Sequence, residues 1–203
     1  ARDLADEMAG YVSAGFSAVK MKVGRLGPAA EEERIATVRE AIGPDVLLML
    51  DANNAWSDLP TALRFMARYA PYDPYWIEEP FGPDDVDNHA RLARATPVTV
   101  ATGEIEQGRW RFKALLDAGA AAILQTDAAV CGGVTEFRRI AATAASYGVT
   151  LPELVEGSKA SDTEKKRAKQ VTDLLKKEAA KRNRNEKKIL TDYFRGQVTK
   201  LHR

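Results

Sequence analysis

The chain has 203 residues, 45% of them hydrophobic and 29% charged, a composition able to bury the core of one sizeable domain or two small ones. It contains no run of about 18 apolar residues and no charged-then-apolar leader, so neither a membrane span nor secretion is expected. The lone Cys131 excludes an internal disulfide and fits a cytoplasmic location.

The net charge of +1 conceals a division along the chain. Residues 1–152 carry 15 Lys and Arg against 21 Asp and Glu, whereas residues 153–203 carry 15 against 8. The basic residues also change kind, from mostly Arg in the first segment to mostly Lys in the second. Two segments of different origin are therefore expected to meet near Pro152. A natural fragment, a joined chain and a design all remain open as the source.

In chain order, a helix over about Arg2 to Ala14 precedes a series of short apolar runs: "FSAVKMKV", "VLLMLDAN", "YWIEEPF", "VTVATGE", "AAILQTD" and "GVTLP". Each is strand-sized, rich in Val, Ile, Leu or aromatics, and bounded by Gly, Pro, Asp or Asn. Amphipathic stretches separate them. In "PAAEEERIATVREAIG", for example, Ile35, Val38 and Ile42 recur at helical spacing and Gly43 stops the run. Strands alternating with helices predict an α/β fold with a parallel sheet, either a barrel or an open doubly wound sheet.

Charged residues recur at the ends of successive runs: Lys22, Asp51, Glu78, Glu104 and Asp127. In a parallel barrel these ends converge on one face. Lys20 and Lys22 lie two apart and share a strand face, as do Asp51 and Asn53. Three carboxylates from successive strands, Asp51, Glu78 and Glu104, could hold a divalent cation through oxygen, as Mg²⁺ prefers. Such a cation would also answer why "YWIEEPF" ends in two adjacent acids, with Glu79 as a supporting partner or a salt-bridge acceptor. A lysine beside a cation in a closed mouth is expected to have a depressed pKa and to serve as a base next to a substrate carboxylate.

The motifs "VKMKVG", "LDANNAW", "WIEEPF", "ATGE" and "LQTDAAVCGGVTE", in this order and spacing, resemble the enolase superfamily. The resemblance is to its mandelate racemase branch, near the acid-sugar dehydratases of the rhamnonate dehydratase kind, and covers about residues 1–151. It implies a partial (β/α) TIM-type barrel comprising strands two to seven over residues 1–152. It further implies Asp51, Glu78 and Glu104 as ligands of Mg²⁺, with Mn²⁺ as a substitute, Lys22 as base and Lys20 beside the substrate carboxylate. Asp127 would orient a catalytic His, and Asn53 would line the site. The implied reaction is dehydration of an acid sugar to a 2-keto-3-deoxy acid, with racemisation or lactonisation as the alternative within the family. The resemblance also implies a capping domain, a first and an eighth strand, and a His after the seventh strand. At that place the chain reads "GVTLPELVEG", without His.

His89, in the fourth helical stretch, is expected on a solvated face. Gly132 and Gly133 are expected to form a tight βα loop, and the three tryptophans to pack or to lie in loops. Residues 153–203 are expected to form basic amphipathic helices, begun by a Ser161–Glu164 capping box and broken near "RNRN". Such a segment would cover the barrel edge or drive self-association. Nucleic-acid binding is disfavoured because Tyr193 and Phe194 fall within the apolar stripe. A non-catalytic scaffold with a helical oligomerisation tail is thus the alternative from outside the enzyme class.

Overall fold

The computed structural model describes residues 1–149, which fall within a compact unit spanning Ala1–Pro152. Among them are six α-helices: α1 (Arg2–Ser13), α2 (Pro28–Ile42), α3 (Leu59–Tyr69), α4 (Val86–Ala95), α5 (Gly108–Ala118) and α6 (Val134–Ser146). Five strands accompany them: β1 (Ala18–Lys22), β2 (Leu47–Asp51), β3 (Pro74–Glu78), β4 (Thr99–Thr102) and β5 (Ile123–Leu124). The strands form one sheet in the order β1-β2-β3-β4-β5, every neighbouring pair parallel. This is the α/β arrangement expected from strands joined by crossover helices. Of the sixth expected strand, "GVTLP", only Gly148, in a turn, and Val149 are described; its other residues and the basic helical segment lie outside the described residues.

Local chemistry places the helix ends. Asp58 accepts from the Thr61 amide at 2.8 Å and Asp85 from the Asn88 amide at 3.1 Å, side-chain caps that start α3 and α4. Pro28 opens α2 and Gly43, at φ +79°, stops it. One sheet face carries Val19, Met21, Leu48, Leu50, Ile77 and Val100, which pack in one cluster with Met8, Ile35, Val38, Phe65, Tyr69 and Leu92 of the helices. A second cluster joins Phe112, Leu115, Leu124, Ile140 and Ala144 under α5 and α6.

His89 departs from its expectation. It is fully buried on α4, its ring edge-on to Phe81 and its Nδ1 2.8 Å from the Asp85 carbonyl oxygen. Period-3.6 reading places a residue on a helix face but does not say which neighbour covers it. Trp56, Trp110 and the glycine loop behave as expected, whereas Trp76 lies in β3 and donates to Glu78. Trp56 is buried and stacks on Phe65, Trp110 is exposed, and Gly132 and Gly133 both take positive φ immediately before α6.

Candidate active site

Lys22, Asp51 and Glu78 are the last residues of β1, β2 and β3 and lie level across the sheet. That alignment depends on an irregularity. Leu48 pairs with Pro74 but Met49 pairs with Trp76, so Tyr75 is an extra residue in β3, a bulge that brings Glu78 beside Asp51. On the same level β4 presents Ala101 and β5 Ile123. Glu104 and Asp127 therefore lie in the loops beyond β4 and β5, past the level of the row.

The two acids of this row are nearly sealed from solvent, with side chains 2% exposed at Asp51 and 1% at Glu78. Lysines from β1 neutralise them. Lys20 Nζ lies 2.7 Å from Glu78 Oε2 and 3.2 Å from Asp51 Oδ2, and Lys22 Nζ lies 2.7 Å from Asp51 Oδ2. Trp76 Nε1 adds a donor to Glu78 Oε2 at 3.3 Å. Buried carboxylates require such compensation.

Burial pulls the Lys20 pKa down, but the hydrogen bond and charge of Glu78, with help from Asp51, outweigh it and hold the group above the ordinary lysine value. This direction belongs to the metal-free chain, in which the nearest charged neighbours of Lys20 are the anions Asp51 and Glu78.

The loop after β2 adds further contacts. Asn53 donates its backbone N–H to Asp51 Oδ1 at 3.0 Å, accepts from Lys22 Nζ at its Oδ1 at 2.9 Å, and donates from Nδ2 to Glu79 Oε2 at 3.2 Å. Glu79 is buried, and burial followed by the charge of Glu104 pushes its carboxyl above the usual carboxylate range. Sequence reading gave Glu79 no named partner. The only signal was its adjacency to Glu78, since its bond to Asn53 arises between two loops.

Asp127 is exposed and engaged with its own loop: Oδ1 accepts from the Ala129 amide at 2.6 Å, and its carbonyl accepts from Val130 and Cys131. His89 is buried on α4 and does not supply the imidazole expected beside it.

Asp51 and Glu78 have the donor chemistry of a hard divalent cation: anionic oxygens, shielded from water, already sharing one positive charge. Among the described residues no three His, Cys, Asp or Glu side chains are drawn together as a ready metal cage.

A five-stranded parallel sheet with crossover helices, its lysines and carboxylates gathered at the strand ends, defines the class as an α/β protein with a polar cluster at the carboxyl ends of its strands. The Enolase C-terminal domain-like family model matches residues 3–161, and the chain belongs to this family of the enolase superfamily. A D-galactarolactone cycloisomerase of Agrobacterium fabrum is 41% identical over 156 residues, which cover 77% of this chain and 41% of that protein. An L-talarate/galactarate dehydratase of Salmonella typhimurium is 37% identical over 137 residues, or 68% of this chain and 34% of that protein. The crystal structure of a racemase from Streptomyces coelicolor with bound magnesium matches with a TM-score of 0.71 and 36% identity, covering 73% of this chain and 42% of that one. The chain thus spans less than half the length of the relatives it matches.

Proposed function

We propose that this chain carries the metal-and-lysine part of an acid-sugar active site whose first chemical step is removal of the proton next to a substrate carboxylate. The supporting observation is the pair of sealed carboxylates, Asp51 and Glu78, bracketed by Lys20 and Lys22. Asp51, Glu78 and Glu104 are the residues that would hold Mg²⁺, or Mn²⁺ in its place. When bound, the ion supplies Lewis-acid polarisation of the substrate carboxylate.

The remaining roles belong to the chain itself. Lys20, held protonated by its surroundings, pairs with the substrate carboxylate. Lys22 accepts the α-proton, and the electron pair of that C–H bond delocalises into the carboxylate. Lys22 now spends donors on Asp51 and Asn53. The reaction requires Asp51 to be occupied with another cation while Lys22 works as a base. Asp127 would orient an acid that protonates the departing hydroxyl, which then leaves as water; His89, buried on α4, is not that acid, so the part assigned to the described residues is proton removal. Dehydration of an aldonic or aldaric acid to a 2-keto-3-deoxy acid is the favoured outcome. Cycloisomerisation of a sugar lactone is the second reading, favoured by the 41% identity to a cycloisomerase.

The test is α-proton exchange in D₂O, followed by NMR, across a panel of acid sugars and lactones with Mg²⁺ present. Both readings share this step. Exchange that is abolished by chelator and by Lys22→Ala supports the proposal. A panel left unexchanged at high protein concentration rejects catalysis by this chain and favours a non-catalytic scaffold.

A further inference from the structure

We infer that Glu79 is a positioning residue that fixes the side-chain amide of Asn53 and, through it, the ammonium of Lys22. This rests on reading Lys22 as the proton-accepting lysine, and it gives Asn53 a positioning role besides lining the site.

The argument follows from the donors and acceptors present. A lysine ammonium carries only donors, so the Asn53 atom 2.9 Å from Lys22 Nζ must be the carbonyl oxygen. The opposite end of that amide is then an NH₂ group, which needs an acceptor. Glu79 Oε2, 3.2 Å away, supplies it. Rotating the amide by half a turn would set NH₂ against ammonium and oxygen against carboxylate, two repulsive contacts in place of two attractive ones. The Asn53 backbone is also tied down, its N–H donating to Asp51 Oδ1 at 3.0 Å and the Asn54 N–H donating to the Glu79 carbonyl at 2.8 Å. Both residues hold positive φ, +49° at Asn53 and +44° at Glu79, a conformation that non-glycine residues keep only where their surroundings enforce it. Glu79, Asn53 and Lys22 therefore form a chain with one allowed polarity. The bonds to Lys22 and Glu79 use one acceptor site and one donor of the Asn53 amide and fix its orientation, and through that orientation Asn53 aims Lys22.

Side-chain NMR tests this without substrate or metal, so its outcome is independent of whether the chain turns over an acid sugar. In isotopically labelled protein, the Asn53 carboxamide pair is assigned by its loss in Asn53→Asp, and the Lys22 ammonium by its loss in Lys22→Met. Glu79→Met, close in shape but without an acceptor, should speed hydrogen exchange at the Asn53 carboxamide and the Lys22 ammonium by about tenfold, the loss of one charge-assisted hydrogen bond. Glu79→Gln retains an acceptor oxygen and should restore slow exchange at both, a rescue that a space-filling role would not give. Should Glu79→Met fail to fold, Asn53→Ala must speed Lys22 exchange by itself. Lys22 exchange unchanged in Asn53→Ala, or slow Asn53 carboxamide exchange persisting in a folded Glu79→Met, overturns the inference.

Discussion

Lys20 Nζ donates to Glu78 Oε2 at 2.7 Å although the whole of β2 lies between their strands. The lysine reaches over Met49 and Asp51 to do so, and one ammonium serves two buried acids. Lys20→Met should therefore cost about 1–2 kcal/mol, between an exposed pair and a sealed one, because the Lys20 side chain is 36% exposed while its partners are not. Urea unfolding of metal-free protein measures this. Millimolar Mg²⁺ should return part of the lost stability, since a bound ion supplies the missing charge.

Stability should fall as pH drops below about 6.5. Burial holds the His89 pKa below its ordinary value of 6.5, opposed only in part by the Asp85 carbonyl. The unfolded chain therefore takes up a proton at higher pH than the folded one. Stability is fully present above 6.5 and is lost as pH falls towards the folded pKa. The urea midpoint followed from pH 7.5 to 5 should show this slope, and His89→Gln should flatten it.

Gly24 should resist replacement. It sits at φ +89° after β1, and an added Cβ would stand 2.6 Å from the Ala55 Cβ in the loop that follows Asn53. Gly24→Ala should cost about 2 kcal/mol through strain and collision together. A smaller loss at Gly15→Ala, where φ is also positive but a Cβ would meet nothing within 4 Å, would separate the two terms in the same denaturation series.

Arg39 holds the start of β2 against the turn before β3. Its guanidinium donates to the carbonyls of Tyr72, Gly43, Val46 and Asp73 at 3.0, 3.0, 2.7 and 3.1 Å. Lysine cannot spread its donors over that fork, so Arg39→Lys should lose nearly as much stability as Arg39→Met, about 2 kcal/mol by chemical denaturation.

Much of this architecture was legible in the residues. Alternating apolar runs and helical stripes located β1 to β5, and the parity of Lys20 and Lys22 correctly placed both on one face, since the alternate residues Val19 and Met21 are buried on the other. The alignment of Glu78 with Asp51 was not legible, because it depends on the extra residue at Tyr75 and a bulge leaves no composition signal. Glu104 and Asp127 were counted as strand ends, yet β4 stops at Thr102 and β5 at Leu124, so loop geometry positions them. The sense of the Lys20 shift in the metal-free chain was not legible either, because it depends on a reach across β2 to Glu78 that strand parity does not give.

Calorimetric titration of chelator-stripped protein with Mg²⁺, beside the Asp51→Asn/Glu78→Gln variant, decides most directly whether these strand ends form a metal centre. One-to-one binding in the wild type that disappears in the variant is the expected result. A wild type that binds no Mg²⁺, or a variant that binds it equally well, would contradict the metal-centre reading.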